Sequence, residues 1–178
     1  MEKQGFAKTT IEEIASKAGV SIGTFYHYFK SKEDIFYDIF KKADDYFESV
    51  VEPALNRADA AGVSVPEQVV SYFGYYAHYN LNRGFGNITQ LYNTKNKIFA
   101  KKGRFMQELL KQIIARGQER GDFSKEMTPD EATEYMFIIS RGIVFDWCIH
   151  EGNYDLEEKM GSYMRLLLRV ICRTDTAG

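Results

Sequence analysis

Five glycines, Gly19, Gly62, Gly84, Gly121 and Gly152, cut the sequence into segments whose apolar residues recur every third or fourth position. That spacing lines apolar side chains along one face of a helix, and glycine commonly sits just past a helix end. Start signals stand opposite these stops. "TIEE" (Thr10 to Glu13) and "TPDE" (Thr128 to Glu131) fit the capping box, in which a hydroxyl accepts the third helical N–H and a glutamate reaches back. "SKED" (Ser31 to Asp34) is a shorter-armed version, Pro129 sits where a missing N–H costs nothing, and Asp155 can cap "DLEEKM". Three prolines and no long alternating Val/Ile/Thr runs argue against a β-rich fold. The pattern predicts an all-α chain of roughly eight helices, counting a short one near 87–93.

Ile11, Ile14, Ala15 and Ala18 make the first apolar stripe. Ile35, Phe36, Ile39, Phe40, Ala43 and Phe47 make the next, on a helix that can pass Pro53 only with a kink. Further stripes lie within 65–82, 97–119, 129–150 and 156–172. Helices before residue 45 are short, with tight turns; those after it are long and richer in aromatic residues. The expected division is therefore residues 1–44 and 45–178, joined by a rigid arm helix from about 32 to 58.

A net charge of −2 excludes binding to nucleic acid by bulk basicity, but not by a local face. From Met1 to Lys42 there are seven lysines against six acids, so any such binding must come from discrete contacts. No apolar run approaches the roughly 18 residues that span a bilayer, and the N-terminus lacks a signal-peptide core, so no membrane partner is expected. Cys148 and Cys172 have neither CxxC spacing nor nearby histidines, which fits reduced packing residues of a cytoplasmic protein. His27, His78 and His150 are far apart, and no HExxH, P-loop or glycine-rich nucleotide fingerprint occurs. An enzyme, a bound metal and a cofactor are accordingly not expected.

Thr10 to Phe29 has the proportions of a helix-turn-helix: one helix ending at Gly19, a short turn, and a second helix starting at Ser21. Val20 and Phe25 would tuck into the core, leaving Ile22, Gly23, Thr24, Tyr26, His27 and Tyr28 on or near the exposed side. The segment "TIEEIASKAGVSIGTFYHYFKSKEDIF" resembles the DNA-binding signature of the TetR family of bacterial transcriptional regulators, T-x-x-x-I-A-x-x-A-G-V-S-x-G-T-x-Y-x-[HY]-F-x-[SN]-K-x-x-[LI]. The resemblance covers only the first quarter of the chain.

It implies a double-stranded DNA operator as partner, contacted by Thr10, Ser21, Ile22, Gly23, Thr24, Tyr26, His27, Tyr28, Lys30 and Lys32. Thr10 and its helix start would meet a phosphate. Ile22, Gly23 and Thr24 would lead the recognition helix into the major groove, where Ile22 can touch a thymine methyl and Thr24 a base edge. Tyr26, His27 and Tyr28 would meet backbone oxygens, and Lys32 and Lys30 would neutralise phosphates. The alternative for His27 and Tyr28 is that one covers the domain core. The resemblance also implies one further helix before the signature, where only "MEKQGF" stands. A start placed at an internal methionine, a truncated chain and a true loss of the helix each account for this. The last keeps a second reading open: a dimeric helical ligand-binding protein that has lost DNA binding.

The second half is dense in tyrosine, in "SYFGYYAHYNLNRGF" and "NITQLYNTKNKIF". Buried phenols need hydrogen-bond partners, so inward tyrosines point to a cavity with polar fittings. The expected site is an effector pocket lined by Tyr76, Tyr79, Tyr92, Phe99 and Trp147, the alternative being that these rings only pack. On the last two helices, Ala132, Met136, Ile139, Ile143 and Trp147 form one stripe and Leu156, Met160, Tyr163, Met164, Leu167 and Ile171 another. Together these stripes suggest a homodimer closed as a four-helix bundle, the alternative being that one packs within its own chain. A small-molecule effector would then shift the arm and change the spacing of two reading heads, repression being the default the resemblance implies.

Overall fold

The computed structural model describes residues 9–92 and 98–171, with backbone only at 33, 36–40, 98 and 171. Among the described residues there is no strand. The expectations for "MEKQGF", Cys172 and the side chains of Phe36, Ile39, Phe40 and Ile171 lie outside this set. The first two helices, α1 (Ile11–Ala18) and α2 (Ile22–Tyr28), pack on each other. Thr10 and Glu13 form the capping box of α1, and Gly19, at φ 69°, adopts the left-handed conformation that lets the chain turn tightly into α2. Ser21 caps α2 through Thr24 N. Ala15 and Phe25 fill the interior between these helices. Val20 does not join them and stays 41% exposed. Two short helices share only one inner face, and those two side chains already occupy it.

Helix α3 (Lys32–Tyr46) runs without a break into a π-helical turn at Phe47–Val51 and then α4 (Glu52–Ala60). The expected kink at Pro53 takes this form. Proline lacks the N–H that would bond the carbonyl of Ser49, and its ring crowds that carbonyl; the wider π-turn just before it absorbs both effects. Helix α5 (Val65–Asn82) is the centre of the molecule, with α4, α6 (Phe85–Leu91), α7 (Phe105–Arg120) and α9 (Leu156–Ile171) packed around it. Helix α8 (Pro129–Ile149) closes the bundle against α7, α6 and α9. The core is continuous, from Phe47 and Val51 through Phe73 and Leu110 to Met136 and Met160.

Two sequence expectations give way here. The helix expected from 97 begins only at Phe105. A 3₁₀ turn covers Ile98–Ala100, and Gly103 at φ 75° interrupts the path before Arg104 caps α7. The stripes expected at a subunit interface are largely internal: Ala132, Met136, Ile143 and Trp147 on α8, with Leu156, Met160 and Met164 on α9, are buried within their own chain. Both helices have a second apolar face, and the expected one is turned inward.

Candidate functional site

The cap on α2 fixes how its outer face is presented. Thr24 Oγ1 lies 2.9 Å from Ser21 Oγ, so the two hydroxyls are held together at the helix start. Gly23 would bring an added Cβ no closer than 3.7 Å to Ser21 Oγ, leaving its outward side open. Ile22, Tyr26 and His27 are exposed, Tyr28 is 74% exposed, and its ring stands edge-on to His27 at 5.0 Å. Both residues therefore point away from the core. Lys30 is exposed, while Lys32 is half-buried and its Nζ donates to the carbonyl of Thr9 at 3.0 Å. That bond places the Lys32 ammonium beside the start of α1, where Thr10 is also exposed. All ten residues expected at DNA thus lie on α2, at the N-caps of α1 and α2, or in the turn into α3 and its first residue.

The arm leads directly to a cavity. Tyr76 and Asn80 from α5, Tyr92 after α6, Phe99, Arg104, Phe137 and Arg141 line a space of about 50 Å³ together with Ala43 from α3. That is room for a few water molecules, so a larger occupant must displace side chains. Tyr76 Oη lies 2.5 Å from Tyr92 Oη, the Tyr92 and Phe99 rings are 4.6 Å apart, and the Tyr79 hydroxyl accepts from Arg83 at 2.8 Å. Burial pushes the pKa of both Tyr76 and Tyr92 up, so both phenols remain protonated donors.

Four of the five residues expected in the pocket therefore line one space. Trp147 does not. Its indole N–H donates to the carbonyl of Tyr154 at 3.0 Å and its ring packs on Phe85, which secures the turn between α8 and α9. The arginines were missed. Arg83, Arg104 and Arg141 line the cavity, and no carboxylate does so among the described residues. Arg141 donates to the carbonyls of Phe137 and Phe99, and Arg104 pairs with Asp44, 60 positions away. No local pattern announces a pairing at that separation.

A third surface lies at the far side of α8 and α9. Tyr135, Ile138, Phe145 and Ile149 are exposed at spacings of three, seven and four, with exposed Gly142 between them, and Tyr163, Leu166 and Val170 follow the same rhythm on α9.

A family model described as "Bacterial regulatory proteins, tetR family" matches residues 1–39, and one described as "YsiA-like protein, C-terminal region" matches 88–170. The chain belongs to the TetR family of transcriptional regulators. The regulators of this family are not enzymes. Among the described residues no group of histidine, cysteine and acidic side chains could hold a metal, and no helix is long and apolar enough to cross a membrane.

The HTH-type transcriptional regulator YerO of Bacillus subtilis is 68% identical over 31 residues, which is 17% of this chain and only 11% of that relative. The fatty acid metabolism regulator protein of the same organism is 27% identical over 173 residues, 93% of this chain and 87% of the relative. The crystal structure of FadR from Bacillus subtilis in complex with stearoyl-CoA superposes with a TM-score of 0.73 at 22% identity, covering 94% of this TetR-family chain and 91% of that one. At that identity the likeness is one of fold.

Proposed function

We propose that this TetR-family chain is an effector-responsive repressor that binds a palindromic operator as a homodimer in the cytoplasm. Residues 1–44 form the reading unit and residues 45–178 the effector and dimerisation unit. The observation that carries the reading is the outer face of α2. Ile22, Gly23, Thr24, Tyr26, His27 and Tyr28 present one apolar tip, two kinds of hydroxyl and an imidazole to solvent, on a helix whose start is fixed by Ser21. A core helix has no use for such a face, whereas a major groove offers methyls, base edges and phosphates to each of those groups.

The effector is an anionic amphiphile of the acyl-CoA kind. Support comes from the cavity itself, which combines aromatic walls with arginines and, among the described residues, no acid, and from the stearoyl-CoA in the related FadR structure. The dimer forms through the exposed seam of α8 and α9 rather than through their buried stripes.

The test is a gel shift using the DNA upstream of the protein's own coding region. Tyr26→Ala and Lys32→Ala are each expected to weaken binding by about tenfold, in the range of a lost phosphate or base contact. Loss of the lysine is also expected to flatten the salt dependence by about one phosphate. Dodecanoyl-CoA is expected to release the wild-type protein from that DNA. Wild-type affinity in both variants would overturn the assignment of α2 as the reading helix.

A further inference from the structure

A second cleft opens where α7 ends, α8 begins and α9 ends. It encloses about 100 Å³, twice the volume of the first cavity, and Ile114, Phe123, Met127, Ala132 and Met136 give it an apolar lining. None of these residues borders the first cavity. Four of them are buried, whereas Val170, at the rim, is exposed, so the cleft opens to solvent beside α9.

Protein interiors leave few voids of this size, because side chains relax into them unless the walls are fixed. Here the walls are fixed. The connection between α7 and α8 is tied back to α7 by Gln118, whose Nε2 donates to the carbonyls of Ser124 at 2.9 Å and Met127 at 2.7 Å. Ser124 Oγ in turn accepts the Glu126 N–H at 3.2 Å. Lys111 joins Asp130 at 2.9 Å, and the capping box of Thr128 and Glu131 sets the start of α8. Closing the cleft would mean breaking these bonds.

The lining also says what fits. An apolar cavity of about 150 Å³ takes up benzene, so a smaller cleft bordered by two flexible methionines admits one six-membered ring. Both N–H groups of the Gln118 amide are engaged, and its Oε1 accepts no hydrogen bond among the described residues. Among those residues the cleft is lined by one carboxylate, that of Glu126, and by no lysine, arginine or histidine. Its occupant accordingly brings a hydrogen-bond donor and no negative charge, the reverse of what the first cavity selects.

We propose that this cleft is a second small-molecule site, taking a compact neutral ring that carries a hydroxyl, a phenol, whose O–H donates to Gln118 Oε1 while the ring packs against Phe123, Met127 and Met136. The site is separate from the acyl-CoA cavity and stands whether or not that cavity is filled.

Methionine methyl resonances tell the two spaces apart, because Met127 and Met136 border the second and Met106 the first. In the full chain with labelled methionine methyls, phenol is expected to shift the Met127 and Met136 signals, saturating in the millimolar range or below, and to leave Met106 in place. Anisole has the ring without the donor and is expected to bind about fivefold more weakly, the worth of one neutral hydrogen bond. Benzoate is expected to leave both methyls unmoved. Ala132→Leu fills the cleft from its own wall and is expected to weaken phenol binding on the order of tenfold or more.

Equal affinity for anisole and phenol, a benzoate response at Met127 and Met136, or phenol shifts confined to Met106 would overturn the assignment. An unresponsive wild-type protein would do the same, as would undiminished phenol binding by Ala132→Leu. The three ligands on the wild-type chain decide the matter even where that variant fails to fold.

Discussion

Gly117 shows how much one side chain can matter without lining any site. A Cβ built at this position of α7 would lie 2.4 Å from the Phe123 ring and 3.0 Å from Val65. Phe123 is buried and its ring cannot swing clear without opening the core. Gly117→Ala is therefore expected to lower stability by about 1–3 kcal/mol despite its gain in helix propensity, through overpacking. A drop in the urea midpoint at unchanged slope would show it, and an equal or higher midpoint would refute it. At this scale the candidate site was half legible. Tyr76, Tyr79, Tyr92 and Phe99 could be picked out because so many tyrosines in one stretch need partners. Trp147 could not be told from them, since nothing in the sequence says that its N–H closes the turn at Tyr154. The arginines were invisible for a different reason: Arg104 and Arg141 take their meaning from partners 60 and 42 positions away.

Between elements, Asp59 does for α4, α5 and α7 what no single helix could do alone. It accepts from both Nη atoms of Arg120 at 2.6 and 3.1 Å and from the buried Gln68 amide at 3.0 Å, while Arg116 donates to the other end of that amide at 2.6 Å. Hydrogen bonds from Arg120, then from Gln68, hold the Asp59 carboxyl well below the usual carboxylate range. A folded pKa below the unfolded one means the contribution is complete above the unfolded value near ~4 and is lost as pH falls through it toward the folded value. Asp59→Asn is thus expected to flatten the fall in stability below about pH 4, measured as denaturant midpoint against pH. A slope identical to wild type would show that this cluster does not set acid sensitivity. Most element ends were readable from the same local chemistry, as the boxes at Thr10 and Thr128 and the stop at Gly121 show. What escaped was what packing decides. A helix apolar on two faces, such as α8, does not say which face turns inward, and Pro53 announces a disturbance without saying that a π-turn absorbs it.

For the whole molecule, that second face of α8 is the remaining question. Tyr135, Ile138, Gly142, Phe145 and Ile149 alternate spacings of three and four, the rhythm that keeps a straight seam along a helix, and α9 carries its own exposed apolar residues, Leu166 (62% exposed) and Val170 (70% exposed). A stable interface needs about 800 Å² from each partner, and two adjacent helices of 21 and 16 residues are long enough to supply it. Such a seam is also where a two-fold axis is useful. Two reading helices joined across it can meet half-sites about 34–36 Å apart, whereas one alone has only half the contacts. Near such an axis, residues of the two copies approach one another, so a charge there meets its own like. Ile138→Glu would place a carboxylate in the apolar seam without touching the buried face of α8. It is expected to yield a helical monomer by sedimentation at micromolar concentration, with operator affinity reduced far more than by any one reading-helix substitution. A variant that remains dimeric, or a wild-type protein that sediments as a monomer, would place the subunit contact elsewhere and leave this apolar face unexplained.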